Sequence, residues 1–340
     1  MKDLFSKLQD WIAIDSVTGG EGDYADAVAR YLTELGFSVE RQEVAPGRCN
    51  LVAAADAPSV LFCTHLDTVP PWFGPSEDGD FIHGRGACDA KGVALAMMAA
   101  ATRLVAEGER RVGFLLTIGE EVDFAGARHA ADRVPEEWKP RYVLVGEPTE
   151  NRFIRGHKGV FKARLEATGV AGHSSQDVGP SAVHELVGCV HGILGSSWGS
   201  HALFGQGSLN VGEISGGVAP NVVADRAHAE VLIRTVEESE AVEARLRTHL
   251  NERVSMSVDK SYGPQEFFVP PELSGSSEHD GGIVAFGTDA PFLGRWGTPL
   301  LCGPGRILDA HTDHERISKR AFTDSIELYR RTVTDLLREV

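Results

Sequence analysis

The chain has 340 residues, 42 % of them apolar and 24 % charged, and 33 basic against 49 acidic side chains leave a formal charge of −16. That length exceeds what one core usually fills, and the composition is that of a globular protein. The acidic surplus argues against binding to a phosphate backbone or an anionic membrane surface, so neither nucleic acid nor membrane is an expected partner.

Leu4, Leu8, Trp11 and Ile12 recur at helical spacing, as do Tyr24, Val28, Tyr31, Leu32 and Leu35. The first residues, MKDLF, carry an early acid and no apolar core of signal-peptide length, and the longest apolar-rich stretch, 93–101, is about half of a membrane span. Cys49, Cys63, Cys88, Cys189 and Cys302 form no even, regularly spaced set. Reduced thiols and a cytoplasmic location are therefore expected.

Short unbroken apolar runs at 59–64, 112–118 and 142–145 suit strands covered on both faces. Helix-like stretches at 90–108 and 122–133 lie between them. This order predicts an α/β fold with a mostly parallel sheet flanked by helices. From Gly156 the rhythm changes. Alternating strands at 160–168, 208–214, 222–233 and 254–258 surround helices at 181–194 and 238–250, a ferredoxin-like βαββαβ pattern. After a Pro/Gly/Ser-rich stretch at 269–277 the first rhythm resumes and ends in an amphipathic helix through Ile326, Tyr329, Val333, Leu336 and Leu337. The expected organisation is a catalytic domain in two pieces, 1–156 and 271–340, with 157–270 inserted.

Ligands of open α/β sheets bind at the carboxyl ends of strands. Those ends carry His65 and Asp67, Glu120 and Glu121, and Glu147, while Asp89 opens the long helix and His311 follows the last apolar run. Imidazole and carboxylate without thiolate suit an open, catalytic zinc site. His65, Asp89, Glu121, Glu147 and His311 supply enough ligands for two ions, with one additional carboxylate, Glu120, left over. Glu120 is then available as a general base. Taken singly, each feature has a structural reading, such as two glutamates favouring the first turn of a helix. Gly84-x-Gly86 also resembles a dinucleotide fingerprint, but the third glycine is absent and Asp89 stands where phosphate would approach.

The segments THLDTVP (64–70), GRGACDAKG (84–92), GEE (119–121), GEPT (146–149), GVAGHSS (169–175), APNVVAD…IRT (219–235), GTDAPF (287–292) and GPG…AHTDHE (303–315) resemble the co-catalytic zinc metallopeptidase family. That family includes acetylornithine deacetylase, succinyl-diaminopimelate desuccinylase, aminoacylase and glutamate carboxypeptidase, and the closing stretch looks most like the first. The resemblance implies two Zn²⁺ ions per chain, with Co²⁺ a possible substitute. His65 and Glu147 would hold one ion and Glu121 and His311 the other, with Asp89 bridging, Asp67 orienting His65 and Glu120 as base. It implies a cis peptide at Asp89-Ala90, and it gives no place to His314, which stands near the last ligand. The inserted domain would be a lid and homodimerisation surface whose His173 reaches the partner's site. Asn221 and Arg234 would contact the substrate, with Lys158 and Thr288 in comparable places. A guanidinium fork suits a carboxylate. The implied activity is removal of an acyl group from an N-acyl amino acid, best guessed as N-acetylornithine in arginine biosynthesis. The alternatives are a desuccinylase, a dipeptidase or carboxypeptidase, or a metal-free binding protein on the same fold.

Overall fold

The computed structural model describes residues 1–271 and 280–338. Most of the Pro/Gly/Ser-rich stretch at 269–277 lies outside the described residues. The chain divides into two compact units: Met1–Arg155 with Phe267–Gly282 and Thr288–Val340, and Gly156–Glu266 with Ile283–Gly287.

The first unit is built on a six-stranded sheet in the order Ser38–Ala45, Arg48–Ala54, Val112–Thr117, Val60–His65, Tyr142–Val145, Thr298–Leu301. The last four run parallel to one another, whereas the first two form an antiparallel hairpin. Every residue of Val60–His65, Val112–Thr117 and Tyr142–Val145 is buried, which explains their unbroken apolar runs. Helix α1 (Lys2–Ile12) buries Leu8, Trp11 and Ile12, and α2 (Gly22–Glu34) buries Tyr24, Val28 and Leu32, one stripe each. Helix α3 (Lys91–Ala106) is buried nearly all round and packs against the C-terminal helix Lys319–Arg338.

The expected helix at 122–133 shortens to α4 (Ala125–Ala130). The Gly119 carbonyl accepts from the Asp123 and Phe124 N–H groups, and Phe124 sits in the left-handed region at φ 58°. That tight turn follows directly on Glu120 and Glu121 and replaces the first helical turn.

The second unit has a four-stranded antiparallel sheet in the order Ser208–Gly216, Arg226–Thr235, Gly159–Thr168, Val254–Tyr262. Helices α5 (Ala182–Leu194) and α6 (Ser239–Arg247) complete the βαββαβ order. Phe161, Leu165, Val231 and Ile233 meet Leu186, Ile193, Val242 and Leu246 in its core. The strand expected at 222–233 is two pieces: Val222–Val223 leaves the main sheet to pair with Gly172–His173, and Arg226–Thr235 stays in it.

Candidate metal centre

Parallel strands deliver their next residues to one edge of a sheet, and here that edge is polar. Val60–His65 ends in His65 and leads to Asp67, Val112–Thr117 leads to Glu120 and Glu121, and Tyr142–Val145 leads to Glu147. Registry places His65 opposite Thr117 and Cys63 opposite Val145. The Asp89-Ala90 peptide, just ahead of α3, is cis.

Asp89 is the centre of the cluster. Its Oδ1 lies 2.9 Å from His65 Nε2, and its Oδ2 lies 3.2 Å from His311 Nε2. Glu121 places both oxygens 3.0–3.1 Å from the same His311 nitrogen. Ligand atoms of His65, Asp89 and Glu121 all fall within 4.8 Å of one another. His311 adopts φ 62°, and its side chain is 49 % exposed, so the cluster opens on that side. His314, by contrast, is exposed and paired with Asp313 at 2.8 Å.

Asp67 has a wider task than orienting one imidazole. His65 Nδ1 lies 2.9 Å from the Asp67 carbonyl and 3.5 Å from its Oδ1. The fully buried Asp67 carboxylate accepts from the N–H groups of Glu120 (3.1 Å) and Glu121 (3.2 Å) and from the Thr18 hydroxyl (2.8 Å). One side chain thus fixes a ligand on one strand end and the adjoining glutamates on the next.

The charges show what this cluster is suited to hold. Burial, followed by the charge of Glu147, pushes Glu120 well above the usual carboxylate range, and burial does the same to Glu147. Burial and the Asp89 charge raise Glu121. Burial alone would lower the His65 pKa, but its bonds to Asp67 and Asp89 hold it well above normal. The bonds of Asp89 and Glu121 raise His311 to about 10. Carboxylates gathered away from water remain ionised only beside a cation. Two ligands of one tetrahedral zinc stand about 3.3 Å apart, close to the 2.9–3.2 Å nitrogen–oxygen separations here. The donor set therefore fits metal ions, and Asp89 can offer one oxygen to each of two.

The remaining candidates lie elsewhere. Thr288 is fully buried, and its hydroxyl accepts from the Ala290 N–H, which gives it a local capping role. Its neighbour Asp289, which sequence reasoning passed over, is the buried acid. The Thr117 hydroxyl donates to it, and its charge raises Glu120 and Glu147. In the second unit His173 and Asn221 are brought together, since His173 pairs with Val222 and the Asn221 carbonyl accepts from the Ser174 N–H. The Ser175 N–H donates to His173 Nδ1 at 3.2 Å, which leaves the proton on Nε2. Arg234 is half-buried on the Arg226–Thr235 strand opposite Ser208 and Val160, and Lys158 donates to the Gln206 carbonyl. All five cysteines are free, and no helix among the described residues is long and apolar enough to cross a membrane.

Comparison with known proteins gives the same picture from outside. The family described as peptidase family M20/M25/M40 matches residues 61–335. A peptidase M20 domain-containing protein of Schizosaccharomyces pombe is 32 % identical over 346 residues, covering 98 % of this chain and 85 % of its own. A protein of Aspergillus terreus named "Probable carboxypeptidase" is 33 % identical over 368 residues, covering 96 % and 84 %. Among solved structures, the M20 family metallo-carboxypeptidase Sso-CP2 of Sulfolobus solfataricus superposes with a TM-score of 0.78 at 16 % identity, over 97 % of this chain and 98 % of that one.

Proposed function

The chain belongs to peptidase family M20/M25/M40 and is a hydrolase, and we propose that it cleaves the amide bond on the α-nitrogen of an amino acid whose carboxylate is free. The observation that carries this reading is Asp89, whose two oxygens each face a different imidazole. His65 and Glu147 would hold one zinc ion and Glu121 and His311 the other, with Asp89 shared. Such ions, when bound, acidify water and stabilise negative charge on a carbonyl oxygen. Glu120 takes the proton of the attacking water and returns it to the leaving nitrogen. Asp67 holds Glu120 in place through its backbone N–H. His173, with the proton on Nε2, has a donor to offer the developing oxyanion. Arg234 and Asn221 are proposed to take the substrate carboxylate, with Lys158 and Thr288 as further candidates.

The relatives that are named carboxypeptidases favour release of a carboxy-terminal residue from a short peptide. Removal of an acetyl group, as from N-acetylornithine, uses the same bond and the same carboxylate, and its support is the resemblance of the closing segment alone. A panel of dipeptides and N-acetyl amino acids, assayed with Zn²⁺ or Co²⁺, decides between them. Turnover confined to acetylated substrates would overturn the peptidase preference, and turnover unaffected by a chelator would overturn the metal reading.

A homodimer formed through the second unit completes the proposal. Its support is an outer strand, Ser208–Gly216, paired on one side only, and a helix α5 with Val187 50 % and Leu194 59 % exposed. If His173 acts on the partner's site, mixing His173→Ala with Glu120→Ala chains restores part of the activity. Mixtures that remain inactive would remove that role.

A further inference from the structure

The Arg85–Glu315 pair is buried more completely than most of the metal centre itself, at 1 % and 0 % exposure. Arg85 Nη1 meets Glu315 Oε2 at 2.6 Å. The other oxygen, Oε1, accepts from the N–H groups of Cys88 and Asp89, both at 3.2 Å. On its far side Arg85 donates through Nε to the Pro71 carbonyl at 3.2 Å, and its guanidinium lies 5.1 Å from the Phe73 ring centre. The Arg85 N–H reaches the Phe73 carbonyl, and the Gly84 N–H reaches the Glu315 carbonyl.

These contacts connect three segments. Pro71 and Phe73 follow His65 and Asp67, Arg85 and Cys88 precede Asp89, and Glu315 follows His311 by four residues. Each segment carries a proposed ligand, and the pair is tied to all of them without being a ligand. A buried ion pair adds little net stability over apolar side chains of the same volume. What it does supply is fixed geometry, because Glu315 engages both of its oxygens and Arg85 both Nε and Nη1 with partners on these segments. Here the fixed element is the backbone of Asp89, whose two oxygens must face two histidines at once.

We propose that the Arg85–Glu315 pair is the positioning element of the metal centre: it sets the bridging orientation of Asp89 and the reach of the His311 segment, and so controls metal affinity without touching metal or substrate. The inference rests on the two-metal reading above. Glu315→Gln keeps the volume and one acceptor oxygen but removes the charge that holds Arg85. Arg85→Lys keeps the charge but gives up the forked contacts to Glu315 and Pro71.

The experiment is titration of the metal-free full chain, wild type and both variants, with Co²⁺. It is followed by visible absorption and by competition with a chelator, with circular dichroism to confirm the fold. Wild type is expected to bind two ions; if it binds none, the metal reading fails and this inference falls with it. With wild type binding two, Glu315→Gln is expected to weaken at least one site by about 10- to 100-fold and to alter the cobalt spectrum. Arg85→Lys should show a smaller loss of the same kind. At saturating metal, kcat falls while KM stays within about twofold. Folded variants with wild-type affinity and spectrum would overturn the proposal. So would loss of the fold in both variants, since the pair would then hold the chain and not the centre.

Discussion

The two compact units bury different things. The first places His65, Asp67, Asp89, Glu120, Glu147, Asp289, Arg85 and Glu315 among its buried side chains, whereas among the described residues the second buries only His157 and Thr235 of its polar ones. The second unit alternates in and out along its strands, as Arg226–Thr235 does, and keeps its charges on the wet face. A core of that kind is held by apolar burial and needs no ligand. The first unit has gathered carboxylates whose ionised forms burial disfavours, so its stability should depend on cations and that of the second should not.

Chelation is the strongest way to break that contrast. Removing metal should abolish hydrolysis and lower the melting temperature of the first unit. An ion held at a thousand times its dissociation constant stabilises by about 4 kcal/mol. Calorimetry with and without chelator should show one transition moving and one staying; two transitions moving together would refute the division of labour. Asp89→Asn should follow, with kcat reduced about a thousandfold (about 4 kcal/mol of transition-state stabilisation) and metal content below two per chain by elemental analysis.

In the second unit the effects should be of another kind. Arg234→Met should lower kcat/KM by about a hundredfold, about 2.7 kcal/mol, through KM and with metal content unchanged. The last effect concerns stability alone. Burial holds His157 down at about 4, against an ordinary 6.5. As pH falls below 6.5 the unfolded chain takes up a proton that the folded unit refuses until about pH 4. Stability is therefore lost on acidification across that window, by up to about 3 kcal/mol in all. Denaturant titrations of wild type and His157→Phe from pH 7 to pH 4 should diverge, with the wild type falling more steeply; parallel curves would contradict the assignment.

The contrast between the units also explains what could be read from the sequence. Strands at 59–64, 112–118 and 142–145 are legible because burial on both faces leaves unbroken apolar runs, and Gly159–Thr168 is legible because one wet face enforces alternation. The hairpin Ser38–Ala54 was missed because its outer strand, SVERQEVA, carries charges on an open edge and has no clean period. His65, Asp89, Glu121 and His311 were legible as a set, since metal chemistry needs those residue types, and the structure brings them into contact. His314 offers the same side chain three residues on, and the resemblance gives it no place. Arg85 and Glu315 lie in two of the quoted segments but received no role. They are 230 residues apart, and only folding shows that they meet. Asp289 was overlooked beside Thr288 for a similar reason, as its partner Thr117 lies 172 residues away.

The central claim is that five side chains hold two metal ions while a sixth, Glu120, moves the proton. The direct test measures metal content and turnover of Glu120→Ala on the same preparation, with the substrate that wild type cleaves best in the panel. This account predicts two ions per chain, as in wild type, with kcat reduced by at least about a thousandfold. Near-normal turnover would contradict the role of Glu120 as base, and loss of the ions along with activity would make it a ligand instead.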